Sequence, residues 1–449
     1  MVIIKNITDS YKQTDWGIIP KDWNYEILQG KIVIVHGFGF QSQYFNSQGL
    51  YRLTTPGHFY EEGGFRDVGE KQKYYDGPLP DGYLLRSKDL IVAMTEQADG
   101  LLGSAAIIPE SGNYLHNQRL GKVKPISSDI EIDFLYYIFN SKKFRLKVRE
   151  TAAGTKVKHT SPNKLLEIAV PIPPPPEQKA IAQSLSDVDA LITECDRIIT
   201  KKRNTKQGMM QQLLTGKKRL PDFSKDGDRV VMGKKTSEGY KQTEVGMIPN
   251  DWEVVLLDSV AKRGSGHTPD KKHPEYWNGE IKWISLKDSN LLDNLYIDNT
   301  AEKITPAGIA NSSAVLHPSG SVVLSRDAGV GKSAITKDVM AVSQHFMAWH
   351  CGSQLNNHFL YYWLQTEKSE FERIAIGNTI KTIGLSYFKQ LKIPFPSLPE
   401  QKAIAQILKD MDTEIAALEQ KRDKYKAVKQ GMMQELLTGT TRLKYDLNN

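Results

Sequence analysis

At 449 residues, 39% hydrophobic and 25% charged, the chain has an ordinary soluble composition and enough length for two or three domains. Its 59 Lys and Arg against 52 Asp and Glu give a formal charge of +7, which admits a polyanionic partner without requiring one. Cys195 and Cys351, far apart in sequence, argue against a zinc cluster or disulfide framework, and an N-terminus that turns polar early, with no apolar run near 18 residues, argues against a signal peptide or membrane span and for the cytoplasm.

The first predicted element is a segment written twice. Tyr11-Lys12-Gln13-Thr14 with Gly17-Ile18-Ile19-Pro20-Lys21-Asp22-Trp23 returns as Tyr240-Lys241-Gln242-Thr243 with Gly246-Met247-Ile248-Pro249-Asn250-Asp251-Trp252, an offset of 240 − 11 = 229. Next come Gly37-Phe38-Gly39-Phe40-Gln41-Ser42-Gln43-Tyr44-Phe45, a β-rich run at 90–93 and an amphipathic helix near 130–139. Further on, Gly154-Thr155-Lys156-Val157-Lys158 precedes the prolines at 173–176.

Pro176-Glu177-Gln178-Lys179-Ala180-Ile181-Ala182-Gln183 then opens a long helix. Ile181, Leu185, Val188, Ile192, Cys195 and Ile199 follow at spacings of 4, 3, 4, 3 and 4, the seam of a coiled coil. The whole block recurs from Pro399 at an offset of 400 − 177 = 223, with seam residues Ile404, Leu408, Met411, Ile415 and Leu418. Its far end keeps the same offset, since Gln207-Gly208-Met209-Met210-Gln211 matches Gln430-Gly431-Met432-Met433-Gln434, so the two helices have equal length. Each is a rod of roughly 57 Å for about 38 residues. The seam weakens at Lys202 and Lys206 in one copy and at Arg422, Tyr425 and Lys429 in the other. Ser397-Leu398-Pro399-Glu400 has the form of a capping box, and Gly216 and Gly439 supply the stops.

After a Gly- and charge-rich linker, the second half carries Gly264-Ser265-Gly266-His267-Thr268-Pro269 and Tyr276-Trp277-Asn278-Gly279-Glu280-Ile281-Lys282-Trp283. β-rich runs at 281–285, 322–325 and 346–349 and a helix near 358–364 follow. Echoes of the first half survive at Ser343-Gln344-His345, against Asn117-Gln118, and at Asn378-Thr379-Ile380-Lys381, against 154–158. The expected organisation is a domain over 1–175, a helix over 176–216, a linker over 217–239, a domain over 240–398, a helix over 399–439 and a tail over 440–449. The fold class is α+β: two mixed α/β domains separated by two long antiparallel coiled-coil helices, with pseudo-twofold symmetry. Two matched stripes bury each other more simply than each packs on its own domain.

The doubled opening, the doubled Pro-x-x-Glu-Gln-Lys-Ala-Ile-Ala helix start and the Tyr-Trp-x-Gly-x-Ile-x-Trp segment resemble the specificity subunits of type I restriction-modification enzymes, over nearly the whole chain. The resemblance implies two target-recognition domains, each reading half of a split double-stranded DNA site, and helices that set the gap and bind two modification subunits. Those partners would carry S-adenosylmethionine and methylate adenine N6. Restriction subunits in the larger complex would use ATP and Mg²⁺, and this chain would be non-catalytic, binding no cofactor or metal.

For base reading the expected residues are Phe38, Phe40, Gln41, Ser42, Gln43 and Tyr44 in the first half and His267, Thr268, Lys271 and Lys287 in the second. Lys156, Lys158, His159 and Lys381 suit phosphate contacts, while Arg326 and Lys332, on a glycine turn, are expected to face DNA. Gly331-Lys332-Ser333 is not a phosphate loop, because Arg326 stands where the leading glycine belongs. Tyr136, Tyr137, Tyr361, Tyr362 and Trp363 lie on predicted helices and read as core. Two alternatives stand beside this reading: a metal-dependent nuclease using Asp270, Glu280 and Lys282, a pattern that arises often by chance and has no match in the first half, and a non-enzymatic coiled-coil scaffold.

Overall fold

A computed structural model of the chain describes residues 10–96, 100–110, 112–154, 157–224, 239–377 and 381–444. The backbone forms two compact units, Met1–Cys195 with Gln420–Asn449, and Asp196–Glu419. Each unit contains one mixed α/β domain, the first part of one long helix and the last part of the other.

In the first unit the all-buried strand Leu90–Ala93 lies between Ala105–Ile107 and Leu120–Pro125, with Ile32–His36 at the edge, every pairing antiparallel. A second sheet runs in the order Phe45–Asn46, Tyr74–Tyr75, Tyr51–Thr54, Asn113–His116, Leu84–Leu85, and its Tyr51–Thr54 and Asn113–His116 strands are parallel. The second unit repeats the plan. Val322–Ser325, also wholly buried, sits between Ser333–Thr336 and Phe346–Cys351, and Ala261–Ser265 takes the place of Ile32–His36 at the opening offset, 261 − 32 = 229. Its second sheet again has a parallel pair, Trp277–Ile284 with Met340–Val342. Runs of four and of three consecutive apolar residues suit strands covered on both faces, which explains why these strands are legible.

Helix Ile132–Asn140 buries Phe134, Leu135, Tyr137, Ile138 and Phe139, and Asn357–Thr366 buries Phe359 to Leu364. The aromatics on both helices are core as expected, except Tyr136, which is half-buried. Asn356 caps the second of these helices, its side-chain oxygen accepting from the Phe359 amide.

The long helices are Pro175–Leu213 and Leu398–Leu436, both of 39 residues, each starting one residue earlier than the repeat suggested. Gly216 and Gly439 stand just beyond them at φ +67, the left-handed conformation that ends a helix. A Cβ there would meet Pro249 and Trp252 in one case and Pro20 and Trp23 in the other. The opening repeats are therefore seats for helix ends: the Tyr11 hydroxyl donates to the Gly439 carbonyl and the Tyr240 hydroxyl to that of Gly216.

The helix pairing is antiparallel. Lys202 meets Glu414 at 2.7 Å and Lys206 meets Asp412, so numbers rise along one helix as they fall along its partner. Of the seam residues, Ile181, Leu185, Val188, Cys195, Ile199, Ile404, Leu408 and Ile415 are buried, while Ile192, Met411 and Leu418 are half-buried. The preference for mutual packing over own-domain packing needs correction, because both occur. Ile181 and Leu185 share a core with Trp16, Trp23 and Phe134 of their own domain as well as with Leu436 and Leu437, and Ile404 and Leu408 do the same with Trp252, Phe359, Leu213 and Leu214. A stripe widened by Ala182 and Ala405, both buried, has room for a domain and a helix at once.

Two of the polar breaks in the seam, Lys206 and Lys429, form matched ion pairs. Lys429 bonds Asp189 at 2.6 Å, and Asp189 accepts the Tyr137 hydroxyl at 3.0 Å. Lys206, Asp412 and Tyr362 repeat this arrangement in the other unit. Burial first, and the neighbouring carboxylate second, keep both tyrosine hydroxyls protonated and donating. The capping box at 397–400 also needs correction: both Glu400 oxygens are held by Arg219, and one also accepts the Trp252 indole at 3.0 Å.

Candidate nucleic-acid interface

In each domain the chemistry-bearing loops collect at one end of the main sheet. Strand Ile32–His36 ends there, Leu120–Pro125 begins there and Leu90–Ala93 ends there. Gly37 lets the loop after the first strand lie directly on the turn before the second, since a Cβ on it would sit 2.0 Å from the Asn117 carbonyl. Phe38 bridges to Asn117, and its carbonyl accepts the Gln118 amide at 2.9 Å. Gly266, at the opening offset of 266 − 37 = 229, makes the same approach, with its Cβ position 1.5 Å from the Val342 carbonyl. There Thr268 donates to Gln344 at 2.5 Å and the Trp283 indole to the His267 carbonyl at 3.1 Å.

The third strand carries the third loop. His159 bridges to Thr95 and Ala153, with its Nδ1 3.2 Å from the Thr95 hydroxyl. Thr382 bridges in the same way to Asp327 and Ile376. Lys158, His159 and Lys381 are thus exposed at the same sheet end as the base-reading candidates. Lys156 lies outside the described residues.

Within the first loop, Gln41, Ser42 and Gln43 are exposed and Tyr44 is half-buried, on a short turn Ser42–Tyr44. Phe38 is 36% exposed and packs edge-on against Phe40. Phe40 does not face outward: it is 7% exposed, in a core with Leu53, Tyr75 and Leu115. Its apolar ring has a better environment there than at a wet loop tip.

In the second unit, His267 is exposed and Thr268 half-buried. Lys271 lies over the Trp277 ring at 6.0 Å, beside an open cleft of about 550 Å³ that Thr300, Glu302 and Lys303 help to line. Lys287 is exposed but paired with Glu302 at 2.8 Å. Arg326 and Lys332 are half-buried and hydrogen-bonded within the domain. The Arg326 guanidinium donates to the Ile383 carbonyl at 3.0 Å and the Gln344 carbonyl at 3.2 Å, and the Lys332 ammonium donates to the Ser289 carbonyl at 3.1 Å. These carbonyls belong to loops with no ladder partner, and the cations satisfy them.

The sequence reading passed over Gln118 and Arg119, with their counterparts Gln344 and His345. Gln118, Arg119 and Gln344 are exposed between the other two loops, and His345 is bonded to Asp327 at 2.6 Å. The faint echo at 117–118 and 343–345 was the available signal. What it lacked was the strand order that puts this turn at the centre of the rim.

Two members of the nuclease pattern are engaged with other partners. Lys282 bonds Asp338 and the Asp298 carbonyl, Asp270 accepts the Lys272 amide, and Glu280 is exposed. Among the described residues no group of three or more His, Cys, Asp or Glu could hold a metal ion. No helix among them is long and apolar enough to cross a membrane.

A family model described as the type I restriction modification DNA specificity domain matches residues 40–203 and again 249–427, well over half of the chain. The chain belongs to that family. As a type I specificity subunit it carries two recognition domains, and specificity subunits are not the catalytic members of their complexes. It is 26% identical over 445 residues to the putative type I restriction enzyme MjaX specificity subunit of Methanocaldococcus jannaschii, covering 97% of both chains. To the MjaIX specificity subunit of the same organism it is 33% identical over 175 residues, 38% of this chain and 40% of that one. A crystal structure of a type I system S subunit from M. genitalium shares the fold, with a TM-score of 0.54 at 13% identity over 92% of this chain and 96% of that one.

Proposed function

We propose that each recognition domain reads one half of an asymmetric, interrupted double-stranded DNA site, that the long helices set the gap, and that the chain docks two modification subunits. The contrast within each unit carries this reading. Frame residues repeat one for one, Glu177 with Glu400, Asp189 with Asp412 and Arg219 with Arg442, while the rims differ, Gln41, Ser42 and Gln43 against His267 and Thr268. A common frame with unlike rims is what reading two different half-sites with one fold requires.

Gln41, Ser42, Gln43, His267 and Thr268, joined by Gln118 and Gln344, would offer amide, hydroxyl and imidazole groups to base edges. Lys158, His159 and Lys381 would grip phosphates and fix register without reading sequence. Helices of 39 residues at 1.5 Å per residue are about 58 Å long, against roughly 34 Å for one B-DNA turn between half-sites. Methyl transfer to adenine N6 from S-adenosylmethionine would belong to the modification subunits, and ATP- and Mg²⁺-dependent cleavage to restriction subunits.

The test is to map methylated adenines in a host carrying the chain with its modification subunits. The expected result is one interrupted motif with unlike halves. Methylation without sequence preference, or at a palindrome, would sink the reading.

A further inference from the structure

Just beyond the central strand of the second domain, a buried carboxylate holds a histidine by one ring nitrogen and leaves the other open. Asp327 follows Val322–Ser325, and its Oδ2 lies 2.6 Å from the His345 Nδ1. Its place is fixed from several sides: its carbonyl accepts the Ser325 hydroxyl at 2.6 Å, its backbone bridges to Thr382 of the third loop, and the next residue, Ala328, is held at φ +44. That left-handed conformation is unfavourable for alanine and persists only where the surroundings impose it. The Asp327 Oδ1 is buried with no hydrogen bond, 3.9 Å from the Arg326 Nε, so His345 is the hydrogen-bond donor to this carboxylate.

The chemistry of the pair assigns the ring. An ionised carboxylate offers only lone pairs, so the imidazole donates its Nδ1–H to Asp327 and keeps Nε2 for another partner. No hydrogen bond or ion pair among the described residues engages that nitrogen, and the side chain is 31% exposed. The matched residue of the first domain, Thr95, also holds an imidazole, the His159 Nδ1 lying 3.2 Å from its hydroxyl. That histidine belongs to the third loop, whereas His345 belongs to the central turn, where the first domain has the exposed Arg119. The docking point is kept between the domains while the docked ring changes loop.

We propose that His345 reads one base pair of the half-site bound by the second domain, its Nε2 accepting from the amino group of an adenine or cytosine in the major groove, with Asp327 as the positioning residue that fixes the ring. The proposal rests on the reading of each domain as a half-site reader. The central turn lies between the other two loops: Gln344 accepts the Thr268 hydroxyl of the first at 2.5 Å, while the His345 carbonyl accepts the Arg326 amide at 2.9 Å beside the bridge from Asp327 to Thr382. A side chain placed between two loops meets the floor of a groove, whereas Lys381, exposed on the third loop, suits its phosphate wall. Arg119, with donors only, cannot accept from an amino group. The same turn therefore presents opposite hydrogen-bonding character in the two domains.

The test is made on the complex with its modification subunits and separates reading from structure. His345→Asn keeps an amide donor near the place of Nδ1 for Asp327 and removes Nε2, so a structural role predicts little change. The expected result is instead that one position in one half of the methylated motif is relaxed and that affinity for the parental site falls about 10-fold, with binding to unrelated DNA unchanged. The other half of the motif, read by the first domain, stays as it was and serves as the internal control for folding. Asp327→Ala should relax the same position, and Asp327→Asn, whose carbonyl oxygen still accepts from Nδ1–H, should preserve it. A motif read in full by His345→Asn, or an equal loss on all DNA as from a phosphate contact, overturns the inference and leaves the functional reading standing. A parent complex that methylates no interrupted motif overturns both.

Discussion

Arg442, six residues beyond the second long helix, holds Glu177, three residues into the first, across 265 positions of sequence. Its guanidinium bonds both Glu177 oxygens, at 2.5 and 2.7 Å, and both Asp22 oxygens at 3.0 Å, and lies 5.7 Å from the Trp23 ring centre. The Trp23 indole donates to the same Glu177 at 3.0 Å. Arg219, Glu400, Asp251 and Trp252 repeat the clasp residue for residue. Arg442 holds the Asp22 carboxyl below its usual range. Burial pushes Glu400 up, with the Arg219 bonds opposing it.

These clasps should be costly to break from one side. Arg219 and Glu400 side chains are 4% and 2% exposed, and removing one member of a buried pair leaves an uncompensated charge. Arg219→Met should therefore cost about 3 kcal/mol in urea unfolding. Adding Glu400→Met should recover part of that loss, since the second change removes the stranded carboxylate. Additive losses would show that the two residues do not act as a pair.

The clasps also tie the helix lengths together. From Glu177 to Arg219 is 219 − 177 = 42 positions, and from Glu400 to Arg442 is 442 − 400 = 42. A seven-residue insertion in one helix alone puts its clasp residues out of register with the other and should yield a destabilised chain. The same insertion in both, near 200 and 423, should fold. If the helices set the gap, about 10 Å of added rod should lengthen the methylated motif's spacer by about three base pairs. An unchanged spacer in a well-folded variant would detach spacing from helix length.

Rim substitutions should sort by what each side chain touches. Gln118→Ala, or Gln41→Ala with Gln43→Ala, should alter or relax one half of the methylated motif, and His267→Ala the other. Lys158→Ala and Lys381→Ala should weaken DNA binding for all sequences and each lower the salt-dependence slope by about 1. Arg326→Ala should instead lower the melting temperature, because its guanidinium holds the Ile383 and Gln344 carbonyls. A specificity change from Arg326→Ala without loss of stability would reverse that assignment.

Two buried histidines should make the chain acid-sensitive. Burial holds His116 and His317 at about 4, below the ordinary value near 6.5, and they are 1% and 4% exposed. The unfolded chain therefore binds more protons between these values. The stabilisation is complete above pH 6.5 and is lost as pH falls toward 4, about 3 kcal/mol for each histidine. Urea midpoints measured from pH 7 to 4.5 should fall accordingly, and His116→Gln and His317→Gln should each flatten the slope. An undiminished slope in both variants would assign the sensitivity to carboxylates.

The sequence by itself determined the duplication, the equal helices, the strands at 90–93 and 322–325 and the aromatic core helices, because these rest on local periodicity and on direct comparison of the two copies. It also held the membership in the specificity-subunit family, in motifs spread over both halves. Only the tertiary structure decided what the repeated polar residues are for. Glu400 reads as a cap until Arg219, 181 positions away, is brought to it. Arg326 and Lys332 read as cations on a glycine turn, and only the fold brings the carbonyls of Ile383, Gln344 and Ser289 to them. Phe40 reads as a loop aromatic until Leu53, Tyr75 and Leu115 close around it. In each case the deciding partner is distant in the chain, and hydrogen bonding and burial depend on neighbours in space.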